Sequence, residues 1–208
     1  MTLTPALVRD YDAQAADRAT TDTATFGLGC FWGPDARFGA VDGVVRTRVG
    51  YAGGTKLDPS YHSLGDHTEV LQVDFDPDAV TYRDLLEAVF RQHDPQTQPA
   101  KPQYQNVVFA STDTRRAAVE TVLSAVGETA ESVETRIEQL SRFYPAEDYH
   151  QKYRLRSKSS FLSVFEEAGY DAEGIRDSPI AAKLNGYVAG HAVDVDTDRP
   201  ASDRHVSE

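Results

Sequence analysis

The one cysteine of the chain stands in the run GLGCFWG, between Gly29 and the aromatic pair Phe31 and Trp32. A thiolate is a strong nucleophile. A thiol at the start of a helix meets unpaired N–H groups and the positive end of the helix dipole, and both favour ionisation. Gly29 and Gly33 leave room for a ligand beside the backbone, and Phe31 and Trp32 can wall an apolar pocket. The alternative is a small buried hydrophobe, Cys30, with two core aromatics beside it.

Most electrophiles attacked by a thiolate also need a proton donor. Glu69, in HTEVLQVDFDPD, shares the strand parity of Leu71, Val73 and Phe75 and so points toward the buried face. Burial disfavours the charged carboxylate, and a carboxyl kept neutral is an acid at neutral pH. The alternative is a frayed strand start with Glu69 solvated. His62, Asp66, His67 and Glu69 span a loop and a strand start with no further His/Cys cluster behind them, so no metal is expected. His150 reads as a helix-packing residue, and Glu147 and Asp148 as structural or helix-start charges.

These residues need elements to hold them. TFGLG (25–29) reads as a short buried strand that turns through glycines into a helix from Cys30 to about Ala40. Strands are expected within 43–54, 67–78, 106–111 and 132–140. Thr81 caps a helix carrying Leu85, Leu86, Val89 and Phe90, and another helix runs from about Asp113 to Val126. PQTQPAKPQ (95–103), with three prolines, is loop. PAEDYHQKYRLR and SSFLSVFEEAG read as helical. DSPIAAKLNG reads as a helix capped by Asp177 or Ser178, with Gly186 past its end. The mixture lacks strict alternation, which predicts an α+β fold: a two-layer sandwich with helices on a mixed, mostly antiparallel sheet. The expected organisation is a loose or partly helical arm over 1–22, a single domain over 23–190, and a polar, disordered tail over 191–208.

The chain has 208 residues, 40% of them hydrophobic, enough for one sizeable core. Its formal net charge is −12, which repels phosphate backbones and argues against nucleic acid. Five lysines stand against sixteen arginines. An acidic, lysine-poor surface fits either adaptation to high salt or compositional drift. No apolar run is long enough to cross a bilayer, and the polar start lacks the pattern of a signal peptide, so a cytoplasmic location is expected. A lone cysteine excludes an internal disulfide and a zinc–cysteine cluster.

Taken in order, GCFWG, GYAGG, PSYHSLGDHTEVLQVDFDP, PQY and FYPAEDYHQKY resemble the peptide methionine sulfoxide reductases of the A type. The resemblance runs from about residue 24 to about 156, and more weakly through AAKLNGYVAG. It implies a ferredoxin-like core and reduction of methionine-S-sulfoxide, an oxidation product that such enzymes return to methionine. It makes Cys30 the nucleophile, Phe31 and Trp32 the pocket for the sulfoxide methyl, and Glu69 the acid that protonates the sulfoxide oxygen. Tyr61 and Tyr104 become hydrogen-bond donors to that oxygen; by themselves they read as a loop anchor and a strand-edge packer. Oxidised proteins or free methionine sulfoxide become the substrates, and no bound cofactor is implied.

The chain departs from the family in two places. Many members resolve the cysteine sulfenic acid with further cysteines near the C-terminus. Here an external thiol is needed: a low-molecular-weight thiol, a glutaredoxin-like protein or thioredoxin. Many members carry an acid that holds the substrate backbone in the loop before Tyr104; here that loop, PQTQPAKPQY, is shortened, with Pro99 five positions before Tyr104. LNGYVAG resembles a subgroup without resolving cysteines. The rivals are a cysteine peroxidase or redox sensor, and a non-catalytic binder of oxidised methionine.

Overall fold

The computed structural model describes residues 2–195. Six strands, β1 (Asp22–Gly27), β2 (Val44–Ala52), β3 (Thr68–Phe75), β4 (Val107–Phe109), β5 (Arg136–Glu138) and β6 (Tyr144–Pro145), form one sheet in the order β5-β4-β1-β3-β2-β6. Neighbours pair antiparallel except β4 and β5, which are parallel. The helices are α1 (Pro5–Gln14), α2 (Trp32–Ala40), α3 (Tyr82–Phe90), α4 (Asp113–Ala125), α5 (Tyr153–Arg156), α6 (Ser159–Glu167), α7 (Ala172–Asp177) and α8 (Pro179–Val188). The fold is the expected α+β class, with a mixed, mostly antiparallel sheet. Among the described residues no helix is long and apolar enough to cross a membrane.

Strand β3 occupies the centre because both its faces are covered. Leu71, Val73 and Phe75 pack with Phe26, Val49, Phe38, Leu86 and Leu123 into the main core. On the other face Val70 lies with Val107 and Phe109 under Leu140 and Phe143. Gln72 and Asp74 do share the second face, as their parity requires, yet that face is not open to water. Arg48 bridges Gln72, Asp74 and Asp177 across it.

Helix α3 starts where Thr81 predicts: its hydroxyl accepts from the Asp84 N–H, while the Asp84 carboxylate accepts from the Thr81 N–H. The expected arm is a formed helix, α1, capped by Thr4. Its Val8 and Tyr11 are buried in a second core with Leu155, Phe165, Ile180 and Leu184. Each such side chain contributes roughly 1.5–3 kcal/mol, enough to hold a helix too short to persist alone. Residues 191–195 are without regular structure, and Val195 packs against this second core. The remainder of the expected tail, 196–208, lies outside the described residues.

Two helix expectations are corrected. Gly186 lies inside α8, not beyond it, because α8 crosses α2 at very short range. A Cβ on Gly186 would run into the Ala36 carbonyl, and one on Gly39 into the Ala182 carbonyl. PAEDYHQKYRLR is helical only over α5. The Gln151 side chain instead binds the backbone of Val49 through both its groups, accepting at 3.0 Å and donating at 2.8 Å. Lys152 follows with φ 53, a left-handed conformation that no helix continues through.

Lys152 is held there by burial. Its ammonium lies 3.5 Å from Asp35 Oδ1 and donates to the Thr47 carbonyl. Asp35 also accepts from the Lys152 N–H at 3.2 Å and from Asn185 Nδ2 at 2.9 Å. Both ions are fully buried, so the pair ties α2, β2, α8 and the turn before α5 into one unit. That unit carries the CFWG run on one side and Glu147 to His150 on the other.

Candidate active site

Helix α2 begins at Trp32 with Phe31 as its N-cap, two residues later than the sequence suggests. Cys30 therefore sits in the turn before the helix, exposed to solvent. Gly29 makes the turn, with φ +70, and side chains at Gly29 or Gly33 would meet only open space. The expected preference for a thiolate is not found. Partial desolvation by the surrounding walls pushes the thiol up; the Trp32 N–H pulls it down, the Glu69 charge raises it and the Arg154 charge lowers it. One N–H group does not outweigh desolvation and a neighbouring carboxyl.

Glu69 is 1% exposed and lies under this turn. Its Oε2 accepts from the Phe31 N–H at 3.1 Å and its Oε1 from Gln103 Nε2 at 2.6 Å. Burial raises its pKa, and the hydrogen bonds from Gln103 and Phe31 and the charge of Lys101 offset the rise only in part. The parity argument holds, and the alternative of a solvated, frayed start does not. Strand register explains the depth: Glu69 pairs with Tyr51 on the adjacent β2.

Tyr61 and Tyr104 come from separate loops. The Tyr61 N–H donates to Glu147 Oε1 at 2.9 Å, which fixes the loop between β2 and β3. Tyr104 ends a turn of 3-10 helix, Pro102–Tyr104. Desolvation raises its phenol, as do the charges of Glu69 and Tyr61, a hydrogen bond with Tyr61 and the charge of Cys30. Both rings, the carboxyl and the thiol thus share one small region.

The aromatic wall is larger than the sequence suggests. Trp32 stacks on Tyr153 with ring centroids 3.7 Å apart and planes 5° apart. Its indole N–H donates to His150 Nδ1 at 3.2 Å. The His150 ring also lies 5.2 Å from Phe31, 4.7 Å from Tyr61 and 4.2 Å from Tyr149. Burial lowers the His150 pKa, so the ring is neutral at pH 7. With Nδ1 accepting, the proton rests on Nε2, which is buried and has no partner among the described residues.

Sequence reasoning missed five of these residues. His150 is not on a helix but at the hub of the wall. Glu147 is structural, as expected, but holds Tyr61 and accepts from the Tyr51 hydroxyl at 2.7 Å, kept below the ordinary carboxylate range by these bonds despite burial. Tyr51 and Tyr153 lie in quoted motifs whose contacts depend on register and packing. Gln103 immediately precedes Tyr104, and its role shows only once the loop is seen to fold over Glu69.

His62, Asp66 and His67 do not join Glu69. Asp66 accepts from Thr55 N at 2.8 Å and His67 Nδ1 from Gly54 N at 3.1 Å, which braces the glycine turn after β2. Pro99 lines a groove on the Gly29–Gly33 side of Cys30. Its loop is held by Gln98, which accepts from Asn106 N at 2.6 Å.

Comparison with known proteins identifies the family. A family model described as peptide methionine sulfoxide reductase matches residues 22–173. A peptide methionine sulfoxide reductase of Drosophila melanogaster is 41% identical over 174 residues, covering 82% of this chain and 70% of the relative. The peptide methionine sulfoxide reductase MsrA of Methanothermobacter thermautotrophicus is 45% identical over 144 residues, or 64% of this chain and 85% of the relative. Among solved structures, methionine sulfoxide reductase A of Corynebacterium diphtheriae aligns with a TM-score of 0.58 at 30% identity, covering 68% of this chain and 77% of that one. Reduced Mxr1 from Saccharomyces cerevisiae aligns with a TM-score of 0.57 at 30% identity, covering 69% and 88%. The chain belongs to the peptide methionine sulfoxide reductase family, A type, and is an oxidoreductase acting on the sulfur of methionine sulfoxide.

Proposed function

We propose that the enzyme reduces methionine-S-sulfoxide, peptide-bound and free, with Cys30 as its only thiol nucleophile. A sulfoxide sulfur is a poor electrophile while its oxygen holds negative charge. Glu69 donates a proton to that oxygen, assisted by the Tyr61 and Tyr104 hydroxyls, and the Cys30 sulfur attacks. The net step is Cys–SH plus sulfoxide giving Cys–SOH plus thioether, so the oxygen moves from one sulfur to the other. Phe31 and Trp32 hold the substrate methyl, which fixes the face of the chiral sulfur presented to Cys30.

The observation that carries this reading is the buried Glu69 carboxyl, raised by desolvation and bonded to the N–H of the residue next to Cys30. A peroxidase or redox sensor has no use for a directed acid and an aromatic wall together. One cysteine in the chain leaves the sulfenic acid to an external thiol, with no bound cofactor. A free, unpaired thiol at the surface suits a reducing cytoplasm. The body over 23–190 is proposed to carry the whole reaction.

The test is one turnover without reductant, followed by mass spectrometry. A gain of about 16 mass units on Cys30 with one methionine released supports the mechanism. Methionine sulfoxide binding without release, or peroxide consumption alone, would refute it. Cys30→Ser is expected to abolish turnover.

A further inference from the structure

The chain is acidic overall, yet one groove at the first turn of α2, the helix that follows Cys30, is not. A cavity of about 500 Å³ is lined by Arg37, Arg154, Lys158, Ser157 and His191, with Gly33 at its edge. No Asp or Glu lines it among the described residues. Arg37 projects from the last turn of α2, Arg154 from α5, and Lys158 immediately precedes α6. All three are exposed, and none forms an ion pair among the described residues. Elsewhere arginines of this chain are mostly paired with carboxylates or bonded to backbone carbonyls.

The groove is also within electrostatic reach of the sulfur. Arg154 lowers the Cys30 pKa, and Gly33, in the first turn of α2, lies three residues beyond Cys30. Arg37 and Gly33 also line the neighbouring groove, which adds Gly29 and Pro99 and again has no carboxylate among the described residues. Three cations with no ion pair among the described residues, one of them, Arg154, within electrostatic reach of Cys30, form a local field opposite in sign to the net charge of −12. Such a field concentrates anions.

We propose that this groove receives the reductant, and that the reductant is a low-molecular-weight thiol bearing two or more carboxylates. The inference rests on the reading above that Cys30 becomes a sulfenic acid. A cavity of this size suits a small molecule and not a protein surface. Arg37 and Lys158 take the carboxylates, which brings the ligand's sulfur to Cys30. The first thiol attacks Cys30–SOH: an S–S bond forms, the S–O bond breaks, and the thiol proton leaves with hydroxide as water. A second thiol attacks the mixed disulfide, releasing the small disulfide and restoring Cys30–SH. Two thiols are oxidised for each sulfoxide reduced, and no third reactant is needed.

The test compares recycling of pre-oxidised enzyme by mercaptosuccinate, 2-mercaptoethanol and cysteamine, each rate corrected for its thiolate fraction. At 0.1 M salt the dianionic thiol is expected to exceed the cationic one by about tenfold or more, within the range of electrostatic steering. The preference should shrink at 1 M salt, where the screening length falls to about 3 Å. Arg37→Glu/Lys158→Glu should abolish or invert it, and Arg37→Gln/Lys158→Gln should give an intermediate result should the charge reversal not fold. Methionine release in a single turnover should stay unchanged in both variants. Equal rates for the three thiols, or an order unaltered in the variants, would overturn the proposal. So would slowing confined to a thioredoxin-class protein reductant, which would assign the surface to a protein partner. Absence of single-turnover methionine release from the unaltered enzyme would instead refute the Cys30 mechanism itself.

Discussion

Gln103 donates to Glu69 Oε1 at 2.6 Å while the Phe31 N–H donates to Oε2 at 3.1 Å, so both carboxyl oxygens are engaged by donors below the nucleophile's turn. Two donors favour the ionised carboxyl, and burial disfavours it. Burial prevails, and the pKa is raised. The shift is in the direction that the proposed proton donor needs.

Glu69→Gln is expected to slow single-turnover methionine release by more than about tenfold, the scale of a lost positioned acid. The stability effect runs the other way with pH. The folded state binds the Glu69 proton more tightly than the unfolded chain, so wild-type stability falls as pH rises above about 4.3, the ordinary value, through the raised one. Glu69→Gln lacks this loss. Urea melts from pH 4 to pH 8 should show the variant gaining on wild type as pH rises.

Gln103→Leu removes a donor that stabilises the charged form. The Glu69 pKa should rise further, and the alkaline limb of the single-turnover pH profile should move to higher pH. A limb that stays in place or moves down would contradict the assignment of that limb to Glu69.

His150→Leu removes the acceptor of the Trp32 indole while keeping an apolar filler. Trp32 should lose its fixed orientation, and KM for a methionine sulfoxide peptide should rise severalfold. Oxidation of Cys30 by hydrogen peroxide, which needs no methyl pocket, should be unaffected. Parallel measurement of the two rates separates positioning from general damage.

Lys152→Met leaves Asp35 charged and buried with no cation. Breaking a buried pair in this way costs about 3–5 kcal/mol. Adding Asp35→Asn should recover much of the loss, since the Asn side chain can still accept from the Lys152-position N–H. Denaturant midpoints of the single and double variants measure this coupling.

The net charge of −12 predicts self-repulsion that salt relieves. The melting temperature should be higher in 1 M KCl than in dilute buffer. Greater stability in dilute buffer would exclude a surface adapted to salt.

Much of this site is legible along the chain. Cys30 between glycines and aromatics, the inward parity of Glu69, and the Thr81 cap each depend on neighbours a few residues away. So does the order of motifs that marks the family. The α+β class follows from the same local patterns. Less legible were the start of α2, the non-helical stretch before α5 and the interior position of Gly186. Each is decided by a distant partner: Glu69 for the first, Asp35 and Val49 for the second, Ala36 for the third.

The residues proposed for the chemistry, and the face on which Glu69 lies, were read from the amino-acid order. The surroundings that raise the Cys30 thiol, the hub at His150 and the cationic groove were decided only by folding. The reason is distance: Phe31 meets Glu69 across 38 residues, and Trp32 meets His150 across 118. Desolvation and charge act through space, and strand register and helix crossing decide which side chains share that space.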